Sequence, residues 1–484
     1  MTQPNFPHAF ARRLVAAALC LALAACAAVG PDYAPPAADH PDAWSTPLPG
    51  AGSASDPVHW WRAFQDPLLD QLVAQALARN QDLAIARQRL LQARAERDQA
   101  ASRLGPEAGA GAEAAASRSS TALRYPPGLG ETRTYRLALD ASWEIDVFGG
   151  RRRALEAADA QAQAEEEEGR ALRVSLLAEL ASSYVALRSA QERQRIALDT
   201  VASLDTARRL AQTRYERGLG TAVEAAQARA ELELGQARLP ALREEQARLA
   251  HAIGVLTGGF PGELKDALAQ GPARMPEPPP LPSGLPSEML RSRPDIRAAE
   301  RRLAAATARV GVAAAERFPR FVIPLGLGSA ASLVGDLFSR ASVAWSVGAG
   351  ASQSLYDGGR AEAGQRAAQA GAQAQRLAYE HSVRRAFQDV EDALAGLNAE
   401  RERQAHLSAA VRDSLAAQDR ATRLYRSGLI GYLPVLAAQQ ATYRARDELA
   451  LNALARSRHA IGLYKALGAG WEAQAAPVSG ADGS

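Results

Sequence analysis

Apolar and polar positions alternate strictly along two stretches of the chain. From Tyr135 to Phe148, the residues Tyr135, Leu137, Leu139, Ala141, Trp143, Ile145 and Val147 interleave with Arg136, Ala138, Asp140, Ser142, Glu144 and Asp146. From Val343 to Ser352, the residues Val343, Trp345, Val347, Ala349 and Ala351 interleave with Ala344, Ser346, Gly348, Gly350 and Ser352. A period of two sends successive side chains to opposite faces, so each stretch predicts a strand with one apolar face and one small or polar face. Weaker partners precede them: Glu107 to Ser119 sets Ala against Gly, Glu and Ser, and Phe321 to Leu333 places Phe321, Ile323, Leu325 and Leu327 on one side. About 13 extended residues rise roughly 44 Å, more than the 9–11 residues a membrane strand needs. The pattern alone also fits strands half-buried in a soluble sandwich.

Elsewhere the period changes to that of a helix. Leu177, Leu180, Tyr184 and Leu187 form one stripe, and Phe387, Val390, Leu394 and Leu397 repeat it 210 positions later. No Pro interrupts the chain between Pro127 and Pro240 or between Pro324 and Pro434. Gly149-Gly150 and Gly358-Gly359 open these segments, and Gly218 and Gly428 close them. Each predicted helix has about 60 to 67 residues, roughly 90–100 Å long, and must pack in a coiled bundle to cover its stripe. Each turns back through a Gly-containing loop into a second helix, from Thr221 to about Leu256 and from Leu433 to about Leu467.

The two halves are copies of one plan. "YERGLGTAVEAAQAR" at Tyr215–Arg229 and "YRSGLIGYLPVLAAQ" at Tyr425–Gln439 keep the 210-residue offset through Tyr, Gly, Leu and the apolar position five beyond the Gly. Earlier in each half the offset is 213, through Asp82/Asp295, Ala86/Ala299, Arg89/Arg302, Leu90/Leu303, Ala93/Ala306, Ala101/Ala314 and Pro106/Pro319. We divide the chain into a signal segment (1–25), an extended N-terminal segment (26–65), a first repeat (66–271), a Pro-rich connector (272–286), a second repeat (287–470) and a disordered tail (471–484).

The N-terminus carries Arg12 and Arg13, an apolar run Leu14–Ala25, and then Cys26. Leu23-Ala24-Ala25-Cys26 fits a bacterial lipobox, in which the Cys26 thiol takes diacylglycerol; the apolar run is too short for a comfortable bilayer span. Acylation there, with removal of Cys20 in the signal, leaves no thiol for a disulfide, a metal or catalysis. No other stretch is apolar enough for a membrane helix, so any membrane crossing falls to the strands. Hydrophobic residues make up 47% of the chain but aromatics only 5%, an Ala-dominated balance that favours close helix packing. The formal charge of +3, with both signs interspersed, provides no electrostatic footprint for nucleic acid. The seven histidines have no metal-ligand spacing, and no phosphate loop, nucleotide fingerprint or nucleophile elbow is present, so neither cofactor nor enzymatic activity is expected.

Four strands cannot close a barrel, and open sheet edges do not persist in lipid. A membrane placement therefore requires several chains to pool strands; three would give twelve, enough for a lumen. At this point the chain resembles the TolC-like outer membrane factors, in their NodT-type lipoprotein branch. The resemblance is carried by "VGPDYAPP" (Val29–Pro36), "WWRAFQDPLLDQL" (Trp60–Leu72), "WEIDVFGGRRR" (Trp143–Arg153), "RSRPDIRAAERRLAAA" (Arg291–Ala306), "SLYDGGR" (Ser354–Arg360) and "GYLPVLAAQ" (Gly431–Gln439). It implies a mainly α protein with a membrane β-barrel: a homotrimer with a 12-stranded barrel in outer membrane lipid and a 12-helix periplasmic tube. It further implies a passive exit duct of a tripartite efflux system, served by a periplasmic adaptor (membrane fusion) protein and an inner-membrane RND-type pump.

By the same resemblance, the hairpin tips Gly218, Leu219, Gly220, Thr221 and Gly428, Leu429, Ile430, Gly431 are the surfaces an adaptor touches. Gly218 and Gly428 also end helices where a positive φ is needed. The latch expected from relatives is a bond from the Tyr425 hydroxyl to Glu224, with Arg426 beside it. The acids that ring the lumen in relatives are replaced here by Ile430, Pro434 and Ala437, which leaves Arg423 or Arg426 as candidates for a positive constriction. The run Glu165–Glu168 reads as a solvated face. Two other functions share many of these features: a type I secretion duct, and a lipid-anchored periplasmic coiled-coil protein with no pore.

Overall fold

The computed structural model describes residues 28–36, 41–47, 56–120, 122, 131–270, 277 and 293–471. The signal segment, Cys26, nearly all of the connector 272–286 and the chain beyond 471 lie outside the described residues. In chain order the elements are α1 (Pro67–Arg79), α2 (Gln81–Ser102), β1 (Glu107–Arg118), β2 (Glu131–Ile145), α3 (Gly150–Glu216), α4 (Ala222–Leu256) and α5 (Lys265–Ala269). They continue with α6 (Pro294–Ala315), β3 (Arg320–Ala331), β4 (Val343–Val347), β5 (Gly350–Ser352), α7 (Arg360–Arg426) and α8 (Tyr432–Ala466).

The duplication is visible element by element. Helices α3 and α7 each have 67 residues, α4 and α8 each 35, and α2 and α6 each 22. Arg360 follows Gly150 by 210 positions and Tyr432 follows Ala222 by the same number, as the sequence offset requires. The described residues form two compact units, and each draws on both repeats.

One unit (Met1–Ala37, Arg89–Glu166, Ala298–Tyr379) contains the sheet. Its strands run in the order β1-β2-β3-β4, all antiparallel, with β5 also paired to β3. Glu107 faces Ser142, Tyr135 faces Ala331 and Leu325 faces Val347. The second alternating stretch, expected as one strand, is broken into β4 and β5. The break has a local cause: it lies opposite Pro324, which has no N–H to give the ladder, and the Pro324 carbonyl takes a single bond from Gly348 N at 3.0 Å. Both fragments keep one register on β3, so the sheet still has four strand lines. Strand β2 begins earlier than the alternation indicated and ends at Ile145, which leaves Val147 and Phe148 in the turn before α3. Phe148 stacks on Phe318 with centroids 4.5 Å apart, and its carbonyl accepts from Val29 N at 3.0 Å. Arg153 then holds the N-terminal segment, donating to the carbonyls of Val29 and Gly30 and pairing with Asp32 at 2.6 Å.

The other unit (Ala38–Gln88, Glu167–Arg297, Glu380–Ser484) contains the main hydrophobic core. Trp60, Trp61, Phe64, Leu69, Leu72, Leu177, Leu180, Tyr184, Ile253 and Tyr464 close together there, with Trp60 stacked on Tyr464 at 5.2 Å. A buried polar chain crosses it. Arg188 donates to the Tyr184 hydroxyl at 2.9 and 3.0 Å and to Leu268 O at 3.1 Å, and Tyr184 donates to Asp66, the N-cap of α1. The α3–α4 hairpin packs closely because small residues face the partner: a Cβ on Gly235 would sit 2.9 Å from Leu204 Cδ1. The expectation of a solvated Glu165–Glu168 fails at Glu167, which is 5% exposed and paired with Arg170 and Arg297 at 2.5 and 2.6 Å.

Candidate functional site at the hairpin tips and the sheet

Both tips are built from the same turn. Gly218 (φ 71°) and Gly428 (φ 76°) take the left-handed conformation that a helix end of this kind requires. Leu219 N donates back to Arg214 O at 2.8 Å and Leu429 N to Leu424 O at 3.0 Å, so each tip closes by the same main-chain bonds. Leu219 and Leu429 are exposed at the turns, and Val223 and Leu433 in the following helix are exposed as well. Ile430 is half-buried against the tip core, while Pro434 and Ala437 are exposed; no acid stands at these three positions. Arg426 is exposed, and Arg423 pairs with Asp419.

The two tips differ in chemistry. In the first, Thr221 caps α4: its hydroxyl accepts from Glu224 N at 3.2 Å, and Glu224 accepts from Thr221 N at 3.4 Å. In the second, Gly431 holds the N-cap position with no side chain to offer. Glu224 supplies the missing acceptor from across the pair, taking the Tyr432 N–H on Oε1 at 3.0 Å. Glycines on either side make room: a Cβ on Gly220 or on Gly431 would lie 3.2 or 3.3 Å from a Glu224 carboxylate oxygen.

The expected bond from Tyr425 to Glu224 is not formed. Tyr425 is buried with Tyr432, Ala207, Ala211, Ala228 and Val435, and its hydroxyl has no hydrogen-bond partner among the described residues. The expectation paired side chain with side chain, whereas the carboxylate is satisfied by main-chain N–H groups. Burial, with the Glu224 charge adding, raises the Tyr425 phenol above its ordinary value, and Arg214 opposes the shift. Arg214 is the residue that sequence reasoning missed. It donates to Tyr425 O and to Leu219 O, both at 3.0 Å, and its guanidinium lies 4.9 Å from the Tyr425 ring centroid. The available signal was a mismatch within the repeat, since Leu424 occupies the position equivalent to Arg214.

The sheet carries the second functional feature. Its register aligns Ala110, Leu139, Leu327 and Trp345 in one row, and Ala108, Ala141, Leu325 and Val347 in the next. Leu139, Leu325, Leu327, Val343, Trp345 and Val347 are exposed on that face. The opposite face carries the row Gly109, Asp140, Gly326 and Ser346. An apolar face of this extent, left uncovered by the other described residues, suits lipid. No helix among the described residues is long and apolar enough to cross a membrane. Nor does any group of three or more His, Cys, Asp or Glu among them stand ready to hold a metal.

A sequence profile of the outer membrane efflux protein family matches residues 72–259 and again 285–469, one match per repeat. The chain belongs to the outer membrane efflux protein family. This efflux protein is 33% identical over 475 residues to the pyoverdine export outer membrane protein OpmQ of Pseudomonas putida, covering 96% of this chain and 98% of that one. It is 30% identical over 470 residues to the toluene efflux pump outer membrane protein TtgF, also of Pseudomonas putida, covering 94% and 96%. Among solved structures, it superposes on the outer-membrane channel OprN with a TM-score of 0.85 at 37% identity, over 92% of this chain and 99% of that one. The efflux protein is thus an outer membrane exit duct with a TolC-like fold.

Proposed function

We propose that three copies of this chain form one duct, each contributing four strand lines to a closed barrel of twelve. The observation that carries the reading is the sheet: four lines, a continuous exposed apolar face, and two open edges, β1 and β4. Unpaired edges are not tolerated in hydrocarbon, and partner copies satisfy them. The apolar face then meets lipid and the small, polar face lines the water path. Cys26, acylated, anchors the mature chain to the same membrane. The periplasmic tips Gly218–Thr221 and Gly428–Gly431 receive the hairpins of an adaptor, which links the duct to an inner-membrane pump of the RND type. Arg214, Glu224 and the buried Tyr425 hold each pair of tips together at rest. Cargo choice rests with the pump, since relatives named for pyoverdine export and for toluene efflux share this architecture.

The test is assembly and conduction of the purified, detergent-extracted mature protein. Heat-modifiable migration as a trimer, with discrete single-channel currents in a planar bilayer, is the expected outcome. A monodisperse monomer that stays in solution without detergent and conducts nothing refutes the pooled barrel. Labelling with radioactive palmitate, lost in Cys26→Ser, checks the anchor.

A further inference from the structure

We propose that Asp140, with Glu107 beside it, sets the charge preference of the barrel, making the duct favour cations in its membrane section. The inference deepens the pooled-barrel reading and rests on it. On the polar face the strands carry Glu107, Glu113, Asp140 and Glu144 against Arg136 and Arg320. Two of these acids have an arginine partner: Glu113 lies 4.0 Å from Arg136 and Glu144 lies 2.8 Å from Arg151. Glu107 and Asp140 have no ion pair among the described residues. Glu107 pairs with Ser142 and Gly109 with Asp140, so the two carboxylates are diagonal neighbours on one face.

The surroundings keep Asp140 open to the water path. Its row holds Gly109, Gly326 and Ser346, none bulky enough to cover it. A Cβ on Gly326 would come within 3.3 Å of Asp140 Oδ1 and 2.9 Å of Ser346 Oγ, so the carboxylate leans over a bare stretch of backbone. Of the two arginines on this face, Arg136 is taken up by Glu113, and Arg320 lies six residues along β3 from Gly326. That is roughly 20 Å at strand spacing, about twice the Debye length at 0.1 M salt, so Arg320 does not offset Asp140. Three chains then place six carboxylates in two adjacent rows of one lumen. Rings of acidic side chains in a confined lumen raise the local concentration of cations over anions.

The experiment is the reversal potential of the full-length protein in a planar bilayer under a KCl gradient. Wild type is expected to pass K+ in preference to chloride. Asp140→Asn, close in shape, is expected to lower the permeability ratio by about twofold or more, the bias set by a lumen potential near one RT. Asp140→Glu is expected to retain the wild-type ratio, and Asp140→Asn with Glu107→Gln to bring it near unity. A wild type that prefers chloride, or an Asp140→Asn ratio equal to wild type, overturns the inference while channels still form. Wild-type protein that forms no channels overturns the pooled barrel and this inference together.

Discussion

Arg214 is expected to hold the two hairpin tips of a subunit closed, and removing it tests that directly. Of its three contacts, the bond to Leu219 O stays within its own tip. The bond to Tyr425 O and the stacking on the Tyr425 ring reach the other hairpin. A hydrogen bond from a charged donor contributes about 1.5–3 kcal/mol, and Arg214 is only half-buried, so the lower end applies. A cation over an aromatic face adds about 0.5–1 kcal/mol at a partly exposed site. The cross-hairpin share is therefore about 2 kcal/mol per subunit. At about 1.4 kcal/mol per tenfold, Arg214→Ala moves the open-to-closed ratio of one tip pair by roughly 30-fold.

The assay is resting single-channel conductance of the purified trimer, with sensitivity of cells to a large antibiotic as a second readout. Arg214→Ala should raise both. Arg214→Lys keeps the charge but loses the planar fork, and should fall between wild type and Ala. Tyr425→Phe is the discriminating control. Its hydroxyl has no partner among the described residues, so its loss should leave conductance at the wild-type level. Wild-type conductance in Arg214→Ala refutes the reasoning, and so does a leak in Tyr425→Phe equal to that of Arg214→Ala.

Two further outcomes follow from the buried polar groups. Burial, with the charges of Glu231 and Tyr425 adding, pushes the Tyr432 phenol from 10.0 up to about 12. A raised pKa favours the neutral form in the folded tip, so its stabilisation is complete below pH 10 and is lost as pH climbs from 10 towards 12. Tyrosinate absorbance during alkaline titration should show several phenols ionising late, Tyr432 among them, together with a rise in resting conductance; Tyr432→Phe should shrink the late phase by one phenol and remove the conductance rise. Arg188, 1% exposed, holds the Tyr184 hydroxyl and Leu268 O, and Arg188→Ala should cost about 1.5–3 kcal/mol by removing the charged donor to both, while Tyr184 keeps its bond to Asp66. Thermal unfolding of the trimer reads that cost directly.

The sequence makes the periodic parts of this molecule legible. The helix stripes, the alternating strands and the two Gly turns depend on neighbours a few residues away, and Gly218 and Gly428 carry the conformation their spacing demanded. Where pairing across the fold decides, the sequence is less informative. The break between β4 and β5 follows from the register that sets Gly348 beside Pro324, a relation between segments over twenty residues apart. Glu167 looks like one of four solvated acids until Arg297 is brought against it. At the tips, the likeness to known ducts drew attention to Tyr425 and Glu224, and both lie in the contact region. Their bond was misassigned because a hydroxyl and a carboxylate look complementary in sequence, whereas the free main-chain groups of a helix end do not appear there at all.

Those helix ends explain how the duplication was put to use. Both copies retain the same turn, which needs only a glycine, yet the first carries Arg214 and Glu224 where the second has Leu424 and Pro434. The pair addresses the second tip through its main chain: a cation at the C-terminal carbonyl of α7 and an anion at the N-terminal amide of α8. Each charge also meets the favourable end of a helix dipole, worth about 0.3–1 kcal/mol. A clasp that reads backbone tolerates change in the side chains around it, and Ile430 and Pro434 stand beside it without contributing a polar group. Gly431 is the exception. Its φ of −77° suits any L-residue, but a Cβ there would press within 3.3 Å of Glu224 Oε1, and a branched side chain would displace the carboxylate from Tyr432 N. Gly431→Val should therefore open the tips without backbone strain, raising resting conductance as Arg214→Ala does. A Gly431→Val duct that stays as tight as wild type would mean that Glu224 does not hold the second hairpin.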